Sequence, residues 1–83
     1  MMKYLLVEDE RFAYEEIKRM MQALRADYQM IGWAESVEQA VGFLKQGNID
    51  LMIVDIRLSD GISFEIFEQC PIEIPVIFTT AYD

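Results

Sequence analysis

Three carboxylates stand directly after short apolar runs. Glu8 and Asp9 follow Tyr4, Leu5, Leu6 and Val7, and Asp55 follows Leu51, Met52, Ile53 and Val54. A third run, Val76, Ile77 and Phe78, ends on the hydroxyls of Thr79 and Thr80. Carboxylates held close together repel and raise one another's pKa unless a cation sits among them. A hard divalent ion suits oxygen donors, and Mg²⁺ takes one or two carboxylates, a carbonyl and several waters. A carboxylate neutralised in this way can attack phosphorus in line and carry the phosphoryl group as an acyl phosphate, with Thr80 placed to hydrogen-bond a phosphoryl oxygen. Each feature alone has a plainer explanation. Acidic residues at strand ends meet solvent, an aspartate there often caps a helix, and threonine is a good strand residue. The three strand ends in this order are more specific than any one of them.

That chemistry requires strands one and three to be neighbours, so the elements decide it. The continuous apolar runs at residues 4–7 and 51–54 suit strands buried on both faces. Residues 29–34 read as a second strand, weakened by Gly32, and residues 76–79 as a fourth. Between them lie helical patterns. Ala13, Ile17, Met20, Met21 and Leu24 recur at helical spacing and predict a helix over about residues 11–26, with Glu15, Glu16, Lys18 and Arg19 as its solvated face. Ser36 to Gln39 has the spacing of a capping box. Val37, Ala40, Val41 and Leu44 follow as an apolar face, and Gly47 is placed to end the helix. A short helix is expected over about residues 62–69, and Pro71 and Pro75 bracket a connector. The order β-α-β-α-β-α-β implies an α/β fold with parallel strands and right-handed crossovers. In such a sheet, ligands bind beyond the carboxyl ends of the strands.

Composition narrows the function further. The 83 residues carry fifteen acidic and seven basic side chains, a formal charge of −8, and no histidine. Direct nucleic-acid binding is disfavoured, because phosphate backbones need clustered Lys and Arg. The lack of imidazole removes the Ser–His and Cys–His nucleophile pairs and any histidine metal ligand. One cysteine, Cys70, excludes an internal disulfide and a multi-cysteine zinc site, and nothing beside it in sequence activates the thiol. No apolar run approaches the roughly 20 residues of a membrane span or the core of a signal peptide, so a cytoplasmic location is expected. Asp60 and Gly61 read as turn residues, and Met20, Met21, Trp33, Phe64 and Phe67 as core. No Gly-rich nucleotide-binding run follows any strand.

The blocks Tyr4 to Glu10, Leu51 to Gly61 and Pro75 to Ala81 resemble the receiver domain of bacterial two-component response regulators, and the likeness runs over the whole chain. Asp55-Ile-Arg-Leu-Ser-Asp-Gly with Phe-Thr-Thr-Ala-Tyr-Asp is most similar to receivers joined to LytTR-type DNA-binding output domains. The resemblance implies a flavodoxin-like, doubly wound parallel sheet. It implies Asp55 as phosphoacceptor, with Glu8, Asp9, Asp55 and the backbone carbonyl of Arg57 holding Mg²⁺. Thr80 would be the switch hydroxyl, and Ala81 a small residue that leaves room for the phosphoryl group. The donor would be the phosphohistidine of a sensor histidine kinase, and the only chemistry expected is phosphoryl uptake and self-hydrolysis. A full receiver has five β-α units in about 120 residues. Residues 1–83 correspond to its N-terminal part, an incomplete sheet without the fourth helix, fifth strand and fifth helix. The lysine that receivers place after strand five is therefore absent. Strand four would then be an edge exposing Val76, Ile77 and Phe78, and self-association through it is expected. Two other readings stand beside this one. One is an interaction or dimerisation fragment that no longer takes phosphate. The other is an aspartyl-phosphate phosphohydrolase of the haloacid dehalogenase type, which wants a second acid where this chain has Arg57.

Overall fold

A computed structural model describes residues 1–79. Its main sheet contains β1 (Lys3–Val7), β2 (Gln29–Ala34), β3 (Leu51–Asp55) and β6 (Val76–Thr79), all parallel, in the order β2-β1-β3-β6. Between β3 and β6, a small antiparallel pair forms from β4 (Arg57–Leu58) and β5 (Gly61–Ile62). Helices α1 (Arg11–Leu24), α2 (Val37–Gln46) and α3 (Phe64–Gln69) make the crossovers. The expected β-α alternation is therefore present through the fourth strand of the main sheet, so β1 and β3 lie side by side.

Alternation along the central strands divides the core into two layers, because successive side chains point to opposite faces. Leu5, Val7, Met52 and Val54 face α2 and α3, where they meet Val37, Ala40, Val41 and Ile66. Tyr4, Leu6, Leu51 and Ile53 face α1 and meet Tyr14, Ile17 and Met21. The continuous apolar runs of β1 and β3 thus reflect burial on both sides.

The edges of the elements differ from the sequence expectation in physical detail. α1 ends at Leu24, and the stripe it packs on the sheet is the half-buried Tyr14, Ile17 and Met21, with Met20 52% and Leu24 74% exposed. At about 100° per residue, Met20 and Leu24 lie on the flank of that stripe, beyond the reach of the sheet. Phe64, read as core, is also exposed, and Ile62 pairs with Arg57 in the β4–β5 ribbon instead of opening α3. In β2, the register shifts between Tyr4 and Leu5 so that Ile31 is skipped just before Gly32, and a Cβ at Gly32 would lie 2.5 Å from the Phe43 ring. The glycine that weakens the strand in sequence is what lets α2 approach it.

α2 is capped from two directions. Ser36 Oγ accepts from Gln39 N–H at 3.1 Å, and Gln39 Oε1 accepts from Glu35 N–H at 2.9 Å, one residue before the partner of a standard capping box. The Asp60 carboxylate accepts from Val37 N–H at 2.8 Å and Glu38 N–H at 3.3 Å, while Ser59 Oγ donates to Glu35 carbonyl at 3.1 Å. Asp60 is thus more than a turn residue, since it ties the segment after β3 to the start of α2. These backbone donors hold its carboxyl below the usual aspartate range. Asp60→Ala is expected to cost about 1 kcal/mol, the ordinary value of a helix cap, read as a lowered urea midpoint at pH 7. The native contribution is present above the unfolded aspartate pKa and disappears as pH falls through the lower folded value. The gap between native and variant should therefore close in acid.

Candidate metal centre

β1 runs out at Val7, and the next residue keeps one sheet-like bond, from Glu8 N–H to Ala34 carbonyl at 2.9 Å. The backbone then turns toward α1. The turn is stabilised by the Glu8 side chain, whose Oε2 accepts from Glu10 N–H at 3.2 Å. On the neighbouring strand, Asp55 is the last residue of β3, in register with Thr79 of β6. Parallel pairing of β1 with β3 places the two strand ends at one edge, and carboxylate oxygens of Glu8, Asp9 and Asp55 all lie within 4.8 Å of one another. Asp9 is exposed, whereas Glu8 is 4% and Asp55 7% exposed. The convergence expected from strand order is therefore present.

The electrostatics are unfavourable without a counter-ion. Burial first, and then the neighbouring Asp55 and Asp9, push the Glu8 carboxyl up to about 7, against the Glu10 N–H that favours its anion. The ion pairs among the described residues, Arg11–Glu15, Arg19–Glu16 and Arg25–Asp27, all lie on the surface and leave the trio uncompensated. An all-oxygen set of this charge fits a hard divalent cation of the Mg²⁺ class. Soft ions are disfavoured, because no thiolate or imidazole is present in the cluster.

Other expected site residues are placed as follows. Arg57 stands two positions beyond Asp55, at the start of β4, with its side chain exposed. The carbonyl of the intervening Ile56 is taken by Ser63 N–H at 2.8 Å. Thr80 and Ala81 lie outside the described residues. Two residues read only as core or left without a role also border the site. Trp33 Nε1–H donates to the Glu8 carbonyl at 2.7 Å, and Tyr14 stacks on the Trp33 ring with centroids 3.7 Å apart. The one sequence signal for this was an aromatic with a polar tip at a strand's carboxyl end. No helix among the described residues is long and apolar enough to cross a membrane.

The profile of the response regulator receiver domain matches residues 4–83. Among curated proteins, the sensory transduction protein LytT of Bacillus cereus is 36% identical over 86 residues, covering 100% of this chain and 35% of that protein. LytR of Streptococcus agalactiae is 35% identical over 86 residues, with 99% and 35% covered. The chain thus spans about a third of the length of these relatives. Among solved structures, the non-phosphorylated receiver domain of HemR from Leptospira biflexa superposes with a TM-score of 0.79 at 28% identity, covering 98% of this chain and 65% of that one. With the parallel β2-β1-β3-β6 sheet and the acidic trio at its carboxyl edge, these matches show that the chain belongs to the response regulator receiver domain family.

Proposed function

We propose that this chain is the phosphoacceptor part of a response regulator, with Asp55 taking a phosphoryl group from the phosphohistidine of a sensor histidine kinase. The observation that carries the reading is the gathering of Glu8, Asp9 and Asp55 from two strand ends, with Glu8 buried and its carboxyl pushed up by that burial. An Asp55 carboxylate oxygen attacks phosphorus opposite the imidazole nitrogen. The P–O bond forms, the P–N bond breaks, and its electron pair leaves with the imidazole, which takes up a proton. Glu8, Asp9, Asp55 and the Arg57 carbonyl are the proposed Mg²⁺ ligands. Bound there, the ion would supply charge neutralisation for the equatorial phosphoryl oxygens. Thr80 is the proposed switch hydroxyl, and Ala81 the small residue giving access. The phosphorylated domain would act on an output domain, DNA-binding as the sequence resemblance to receivers joined to LytTR-type domains implies. Residues 1–83 carry a charge of −8, which suits a protein partner better than nucleic acid. Acid-quenched intact-mass measurement after incubation with Mg²⁺ and a small acyl-phosphate donor tests the reading. It expects one phosphoryl group, mapping to Asp55. No adduct, or an adduct elsewhere, contradicts it.

A second property rests on the sheet edge. β6 has one neighbour among the described strands, and Ile77 is 52% and Phe78 41% exposed, on opposite faces of it. An unpaired apolar strand of this kind is a template for another copy. Residues 1–83 in isolation are expected to dimerise or associate further at micromolar concentrations. Ile77→Lys should shift them toward monomer in sedimentation velocity, and a native chain that sediments as a monomer throughout contradicts this.

A further inference from the structure

Trp33 is the only tryptophan in the chain. It lies on β2 in register with Leu6 and close to the carboxyl end of that strand. Its indole N–H reaches across to the Glu8 carbonyl at 2.7 Å. That carbonyl belongs to the peptide joining Glu8 to Asp9, the two carboxylates that β1 contributes to the trio. The same residue is tied on its other side, where Glu8 N–H donates to Ala34 carbonyl at 2.9 Å. Two consecutive residues of β2 thus hold both backbone polar groups of Glu8. The indole is itself braced, since the Tyr14 ring stacks on it with 7° between the ring planes and centroids 3.7 Å apart. Tyr14 belongs to the first turn of α1, and its N–H donates to Glu10 carbonyl at 3.0 Å. The acidic turn at residues 8–10 is therefore gripped from the β2 side and from the α1 side at once.

From this arrangement we infer that the Trp33 indole N–H, braced by Tyr14, is a positioning group that orients the Glu8–Asp9 peptide and sets the divalent-cation affinity of the carboxylate trio. The inference rests on the metal reading above and deepens it. A peptide plane free to rotate would swing the two carboxylates apart, and their mutual repulsion favours that motion when no cation is bound. A short hydrogen bond to the carbonyl opposes it, and the stacked rings keep the indole from following. Outer partners of this kind commonly alter metal affinity by about 10- to 100-fold when removed.

The single tryptophan allows one atom to be changed. Replacing it biosynthetically with β-(3-benzothienyl)alanine keeps shape and stacking but puts sulfur where the N–H was, while 5-fluorotryptophan retains the donor. Mn²⁺ affinity, read from the free-ion electron paramagnetic resonance signal, is expected to fall about 10-fold in the sulfur analogue and to be native-like in the fluorinated chain. The metal-free thermal midpoint should fall by no more than about 4–8 °C, because the loss of one neutral hydrogen bond costs the metal-free fold only modestly. Equal Mn²⁺ affinity in native and sulfur-substituted chains overturns the inference while leaving the metal site intact. A native chain that takes up no Mn²⁺ overturns both. On the unmodified chain, the lone indole N–H proton resonance should shift in step with Mg²⁺ binding, and a resonance that stays fixed as the ion binds also overturns it.

Discussion

Glu8→Gln is expected to stabilise the metal-free chain at pH 8 by about 2 kcal/mol while weakening Mg²⁺ binding. The carboxyl of Glu8 titrates near 4.5 in the unfolded chain and near 7 in the fold, chiefly because it is buried. Below pH 4.5 it is neutral in both states and contributes nothing to stability through its charge. Between these values unfolding releases a proton, so stability falls as pH rises. Above 7 the whole cost is present. A shift of that size is worth up to about 3 kcal/mol at a site with so little solvent access. Glutamine keeps an oxygen for the Glu10 N–H and carries no charge, so the variant should lose this pH dependence. Urea unfolding at pH 5 and pH 8, without divalent ions, checks it. The native chain should be clearly less stable at pH 8, and the variant should be nearly unchanged. Saturating Mg²⁺ should reverse the native trend, because the ion binds the ionised form. A variant less stable than native at pH 8 would contradict this account of the trio.

Asp55→Asn is expected to abolish covalent phosphoryl uptake altogether. The amide has no anionic oxygen to attack phosphorus, and it also removes one of the three charges that draw the cation. Asp55 is 7% exposed at the end of β3 and has no basic partner among the described ion pairs, so the fold should survive the change. Asp9→Asn provides the contrast. It weakens the ion's hold but leaves the nucleophile, so slow uptake should persist and recover partly at high Mg²⁺. Intact mass after incubation with acetyl phosphate separates the cases. Uptake by the Asp55→Asn chain would move the phosphoacceptor elsewhere.

Much of this architecture is legible in the sequence because burial on both faces leaves an unambiguous mark. The runs ending at Val7 and Val54 have no alternation, which fits only central strands, and the acidic residues that follow them then share an edge. The capped start of α2 and its end at Gly47, whose φ is 81°, are equally local signals. What escaped is non-local. The Asp60 cap comes from 23 residues beyond Val37, the first residue of its helix, so no short window along the chain contains both partners. The face of α1 is set by where the sheet stops, which leaves Met20 and Leu24 outside. Pairing of two residues with two, as in β4 and β5, is too short to show any period. The Trp33 contact to Glu8 joins different strands through a side-chain N–H, and in sequence it reads as one more buried aromatic.

Calorimetric titration of the native chain with Mg²⁺ at pH 7, in two buffers of different ionisation enthalpy, tests the carboxylate trio most directly. One site is expected, and its apparent heat should differ between the buffers, because binding expels the proton that Glu8 holds near that pH. Absence of binding, or binding whose heat is the same in both buffers, would contradict the assignment of Glu8, Asp9 and Asp55 as a cation site.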